Sequence, residues 1–319
     1  MLLVFSPSVQ EPSRPDASRL PIDRAFLQQP AKVKGQPYTT QVDADILIPG
    51  RGEPMEKASV VFDDTNVILY VGPTADVSLK VNNTFRVPII MPGVWDTHMH
   101  FGSPFYGNDP RFPAFQKGSP PETHLTIATQ LLKLERLLLS GITSVREVGG
   151  GFGQVYKHLL EAGVYPGPNF HYAGHAIGMT SGHTDMQTIP LNEYVSGDVT
   201  PTMESWGFIC DGPDECRKRV RQNLRAEADV IKIMTTGGVL TEFDSPFDTE
   251  FSMEEIKAMT EEAARAKRIV ASHSYSAEVR TLIDKYSSNG LNLSCMCLQY
   301  PFYAISVTIQ LPTKLSSHF

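Results

Sequence analysis

An α/β fold built from parallel strand–helix units is what this sequence predicts, and three observations carry it. After His100 the chain alternates helix-like and strand-like segments over five units, the order that sets strands parallel with helices packed against them. The strand-like pieces, such as Val230-Ile-Lys-Ile-Met234, are short and apolar. Before residue 90 the texture differs: short β-rich runs are split by Gly, Pro, Asp and Asn, the pattern of a small antiparallel sheet. Five units in a row point to a barrel. Pattern alone leaves an open doubly wound sheet standing beside it.

Composition narrows the function classes. With 319 residues the chain has room for one large barrel domain or two smaller ones. A hydrophobic content of 41%, a charged content of 20% and a net charge of −7 are ordinary for a soluble globular protein and give no footprint for nucleic acid or an anionic membrane. Met1-Leu-Leu-Val-Phe5 is too short for the core of a signal peptide, and no run approaches a membrane span. Cys210, Cys216, Cys295 and Cys297 are too few and too irregular for a disulfide scaffold or a zinc ribbon. A reducing cytoplasm is the expected location, and the sequons at Asn82 and Asn292 read as accidental.

In chain order, residues 1–41 are rich in Pro, Ser and Gln and read as a flexible extension. Ala44–Gly50, Ala58–Phe62 and Val67–Gly72 supply the small sheet, and Val87–Met91 is an apolar run closed by Pro92 and Gly93. Leu125–Leu139 fits an amphipathic helix stopped at Gly141. Thr143–Val148 is a second strand, Gln154–Ala162 a second helix and Asn169–Ala173 a third strand. Pro213–Ala228 is a helix with a charged, solvated face, followed by the strand Asp229–Met234. Ser252 and Glu255 form a capping box for the helix Met253–Lys267, and Ile269–His273 is a fifth strand.

The chemistry starts at Pro92-Gly-Val-Trp-Asp-Thr-His-Met-His100. In a strand, alternation puts His98 and His100 on one face, where two imidazoles can share a divalent cation. This closure of a hydrophobic strand resembles the first-strand signature of the amidohydrolase superfamily, metal-dependent hydrolases on a (β/α)8 barrel of the TIM type. Ala228-Asp-Val-Ile-Lys-Ile-Met234, followed by Thr-Thr-Gly-Gly-Val239, resembles the fourth strand of its imidazolonepropionase-like branch. The resemblance implies a Lys232 that can be carboxylated on its side-chain nitrogen and bridge two metals, where a lysine paired with a carboxylate inside the barrel is the plain alternative. Burial favours the neutral amine that reacts with carbon dioxide. It also implies a metal-binding histidine at His273, where a core histidine bonded to backbone is the plain alternative. Thr180-Ser-Gly-His183 resembles a turn bordering the substrate in relatives, which makes His183 a substrate-binding candidate and His175 a weaker one. Gly149–Gly153 lacks the spacing of a nucleotide-binding loop.

The expected metal set is thus His98, His100, Lys232 and His273, with Lys232 and His273 also in catalytic roles. The expected cofactor is one or two divalent ions, zinc first, and the expected reaction is hydrolysis of a carbon–nitrogen bond by metal-activated water. The partner is a small-molecule substrate, with a homo-oligomer open. The resemblance further implies residues 42–90 as part of a composite β-sandwich and 91–288 as a partial barrel, with 289–319 unlike the family. Relatives add a histidine ending the sixth strand and an aspartate ending the eighth. Here the candidate sixth strand, Leu291–Met296, offers Cys295 and Met296 instead. The chain as written is therefore expected to be an incomplete barrel, poorly soluble and not a competent hydrolase. The alternative from another class is an inactive fragment that acts, if at all, as a binding protein.

Overall fold

Residues 2–5, 38–101, 120–185, 207–239, 244–275, 293–296, 298–299 and 303–304 are described by the computed structural model, and they fall into two units, Met1–Val94 and Trp95–Phe319. In the first, strands β1 (Leu2–Phe5), β2 (Thr39–Leu47), β3 (Met55–Asp63), β4 (Ile68–Pro73) and β5 (Asn83–Pro92) make one sheet in the order β1-β5-β2-β3-β4. The β2–β3 and β3–β4 pairs are antiparallel, as the alternating runs predict. Asp63 turns the second hairpin by accepting hydrogen bonds from the backbone of Thr65 and Val67. β5, however, runs parallel to β2, so the sheet is mixed and not purely antiparallel. The chain can return in that sense because it passes through β3 and β4 first, a connection long enough for a crossover. Val42, Ala44, Leu47, Ala58, Val60, Val87 and Ile90 form its core.

The flexible extension expected at residues 1–41 is only partly described. Leu2–Phe5 pairs antiparallel with β5, Phe5 opposite Ile89, and β2 begins at Thr39. Residues 6–37 lie outside the described residues.

The second unit runs β6 (Val94–Met99), α1 (Pro120–Leu139), β7 (Ile142–Glu147), α2 (Gly153–Glu161), β8 (Asn169–Tyr172), β9 (Ala176–Gly178), β10 (Gly207–Ile209), α3 (Pro213–Arg225), β11 (Val230–Met234), α4 (Met253–Arg265), β12 (Ile269–His273) and β13 (Leu293–Met296). Its two main sheets run β6-β7-β8 and β10-β9-β11-β12-β13, and the β7–β8, β11–β12 and β12–β13 pairs are parallel. Apart from β10, which pairs beyond β9, neighbours follow chain order. A doubly wound sheet would reverse its order at a switch point, so these strands follow the barrel pattern. β9 and β10 are too short to have shown a period in the sequence. At the bend between β8 and β9, Gly174 has φ +69°, and a Cβ there would meet Asn223 Oδ1 at 2.6 Å.

Every residue of β11 is buried, yet its two faces differ. Ile231 and Ile233 pack with Val270, Val220 of α3, and Ile256, Met259 and Ala263 of α4. Val230 packs instead with Val148, Ala173 and Ala271. With a period of two, Lys232 shares the face of Val230, and His273 shares that of Ala271.

One expectation from the cysteines needs correction. Cys210, just past β10, and Cys216, in the first turn of α3, form a disulfide with a Cα–Cα distance of 5.0 Å. The strand end and the helix start come together through packing that residue spacing does not reveal. Disulfides persist in oxidising surroundings, so the cysteines no longer argue for a reducing compartment. Among the described residues no helix is long and apolar enough to cross a membrane.

The capping box at the start of α4 is formed as expected: Ser252 Oγ accepts from the Glu255 backbone, and Glu255 accepts from the Ser252 backbone at 2.8 Å. Ser252→Ala should destabilise the chain by about 1 kcal/mol. Ser252→Asp, which keeps an acceptor at the cap, should restore most of that loss in urea denaturation.

Candidate active site

Met99 and Phe101 pack into the cluster formed with Leu134 of α1, Tyr156 of α2 and Phe170 of β8. That commits one face of the β6 segment to the helices, and His98 and His100 take the other. Their rings meet edge to face, with centroids 5.2 Å apart and the two Nε2 atoms 3.3 Å apart. His100 Nδ1 lies 3.0 Å from the Gly149 carbonyl, to which it donates. That bond fixes the tautomer and leaves Nε2 with its lone pair. The segment is tied to β7 by Arg146, whose Nε donates to the Thr97 carbonyl at 2.8 Å, and by Glu147, which accepts from the Phe101 backbone at 3.1 Å.

Lys232, 1% exposed, sits at the centre of β11 opposite Ala271, and Met234 lies opposite His273. The backbone carbonyl of His273 accepts from Thr235, while its Nε2 is buried with no hydrogen-bond partner among the described residues. His183 stacks on the His273 ring, centroids 4.6 Å apart and planes 15° from parallel, and Tyr275 meets it edge-on at 5.1 Å.

Electrostatics link these groups. Burial first, then the charge of Lys232, pushes the His98 imidazole down to about 3 and the His273 imidazole down to about 2. His100 is lowered by burial and by Lys232, against the opposing effect of its bond to Gly149. His98, His100 and His273 therefore all feel the charge of Lys232 and stay neutral at pH 7, the state in which imidazole binds metal. Two carboxyls beside them are raised to about 8, chiefly by burial: Glu147, fully enclosed, and Glu250, which accepts from the His183 backbone at 2.6 Å.

Among the described residues no group of three or more His, Cys, Asp and Glu side chains stands close enough together to hold an ion. The structure joins His98 to His100 and His183 to His273. His175 goes elsewhere, its ring packed on Phe208 at 4.5 Å. The donor chemistry nonetheless fits a divalent cation of the zinc type, since it offers neutral imidazoles, two facing Nε2 atoms and a buried unpartnered Nε2 on His273. Sequence reasoning missed Asp244, whose Oδ2 lies 2.6 Å from His183 Nδ1. It sits in an aperiodic loop with no signal of its own. The place of Glu147 in the second strand was legible, but its bond to Phe101 was not. β13 provides the strand expected near residues 291–296, parallel to β12 with Met296 opposite His273.

The sequence matches the amidohydrolase family over residues 89–292. It is 34% identical over 285 residues to the ochratoxinase of Aspergillus niger, covering 84% of this chain and 58% of that protein. The crystal structure of A. niger ochratoxinase superposes with a TM-score of 0.65 at 34% identity, over 76% of this chain and 57% of that one. An Xaa-Pro dipeptidase with bound methionine gives 0.61 at 30% identity, over 75% and 57%. A prolidase complexed with N-methylphosphonate-L-proline gives 0.62 at 27%, over 79% and 59%. These neighbours share the TIM-barrel architecture, of which the present chain contains a part. The chain spans little more than half the length of the curated relatives it matches.

The shifted groups set a pH profile for the metal-free chain. His98 and His273, depressed in the folded state, contribute stability above pH 6.5 that is lost as pH falls toward 3. Glu147 and Glu250, raised in the folded state, contribute stability below pH 4.5 that is lost as pH rises toward 8. The two effects oppose each other between 4.5 and 6.5, so stability should be flat there and fall on both sides. Glu147→Gln should flatten the alkaline limb by about 1.4 kcal/mol per pH unit, read from urea midpoints at a series of pH values.

Proposed function

The chain belongs to the amidohydrolase family, and from that premise we propose that it carries the cation-binding core of a hydrolase acting on a carbon–nitrogen bond. The substrate class proposed is a small amide, peptide-like or cyclic amide molecule. The names of three relatives, an ochratoxinase, an Xaa-Pro dipeptidase and a prolidase, support that class. Because the chain spans 58% of the ochratoxinase length, the activity is proposed for the whole protein to which these residues belong.

The observation that carries the reading is the approach of His98 and His100 at 3.3 Å on the strand face opposite the helix core, where the charge of the buried Lys232 acts on both. His98, His100, His273 and Lys232 would hold one or two divalent ions, with zinc favoured by the imidazole donors and Lys232 carboxylated to supply oxygens. A bound cation supplies Lewis acidity toward a carbonyl oxygen and makes water more acidic. The chain's own residues do the rest. Burial keeps the imidazoles neutral, and the Gly149 carbonyl holds His100 in one tautomer. His183, stacked on His273, borders the space where substrate would lie.

Purified chain should retain zinc through dialysis, and retain more when prepared with bicarbonate. His98→Asn and His273→Asn should each weaken zinc binding roughly tenfold or more. Lys232→Ala should erase the bicarbonate effect. Equal zinc content in all four proteins would remove these residues from the ligand set. Hydrolysis of N-acyl amino acids and dipeptides, lost on chelation and restored by zinc, tests the reaction class. Retained zinc with no turnover would favour a binding role for this chain.

A further inference from the structure

We propose that Asp244 is a positioning residue that locks His183 in its Nδ1–H tautomer, so that Nε2 presents a lone pair beside His273. The carboxylate of Asp244 is 6% exposed, and its Oδ2 takes both the His183 Nδ1 contact at 2.6 Å and the Gly238 backbone N–H at 2.9 Å. A carboxylate can only accept, so the shared proton sits on Nδ1, and a ring carrying that one proton has its lone pair on Nε2. Among the described residues that Nε2 makes no hydrogen bond.

The surroundings leave the ring little freedom. Glu250 accepts from the His183 backbone at 2.6 Å, and the flat face of the imidazole lies on His273. A Cβ on Gly238 would run into the His183 ring, so glycine there lets the loop after β11 pass close to it. A Cβ on Gly182 would run into Glu250 Oε2 at 2.5 Å. Loops 180–185 and 244–250, which the sequence does not connect, thus meet around one oriented imidazole.

An oriented lone pair selects partners that donate. At this position His183 would receive an N–H or O–H from substrate, or from a water held beside it. This role toward substrate rests on the hydrolase reading, whereas the tautomer does not.

The test is a long-range 15N–1H spectrum of the full chain labelled at histidine, with His183 assigned by its loss in His183→Gln. The wild type should show a protonated Nδ1 and an unprotonated Nε2 at pH 7.5. Asp244→Asn can keep an oxygen acceptor in place and should retain that signature, while Asp244→Ala should shift His183 toward the Nε2–H form common in water. Zinc affinity of Asp244→Ala should stay within about twofold of wild type, because His183 is not in the proposed ligand set. An Nε2–H signature in the wild type, or an unchanged spectrum in Asp244→Ala, overturns the proposal. A large loss of zinc in Asp244→Ala also overturns it, by making His183 part of the metal site. If the chain shows the predicted tautomer but does not bind zinc, the proposed cation-binding core fails and the positioning of His183 stands.

Discussion

Alternation along a strand buried on both sides is the constraint on which the rest of this structure depends. Once Ile231 and Ile233 are taken up by the core under α3 and α4, Lys232 has nowhere to go but the opposite face. The same rule, applied to Met99 and Phe101 against α1 and α2, sends His98 and His100 there too. Apolar packing on the outside thus decides which polar side chains face the inside. Neither histidine need be selected for direction: the hydrophobic neighbours choose it.

The consequence is electrostatic. A lysine and three imidazoles drawn into one low-dielectric region cannot all be charged, and the imidazoles yield, since burial and Lys232 both act against their protonation. Burial acts oppositely on Glu147 and Glu250, which favour their neutral forms. The imidazoles therefore bring lone pairs and no charge of their own, the donor state that a bound cation requires. Such an arrangement is hard to justify by stability alone, because apolar side chains of similar volume would pack there without the desolvation penalty.

Around this core the polar contacts serve geometry. The Gly149 carbonyl orients His100, and Arg146 and Glu147 hold the β6 segment against β7. On the other side Glu250 and Asp244 hold the loop that carries His183. Buried carboxyls placed one contact away from the histidines restrict ring position without adding ligands of their own. Contacts that orient histidine rings in this way are the usual logic of metal and acid–base sites.

Local patterns made much of this legible before any coordinates. The apolar runs gave β7, β8, β11 and β12, the Ser252–Glu255 pair gave the start of α4, and the His-x-His spacing gave two side chains on one face. Each depends on residues near one another in the chain, where period and capping operate. What joins distant segments was decided only by the folded chain. The parallel return of β5 onto β2, the pairing of Leu2–Phe5 with β5, the Cys210–Cys216 bridge and the Asp244–His183 contact all depend on where loops bring backbone together. Such closures carry no periodic signal, because their free energy comes from packing between elements and not from the sequence of either one.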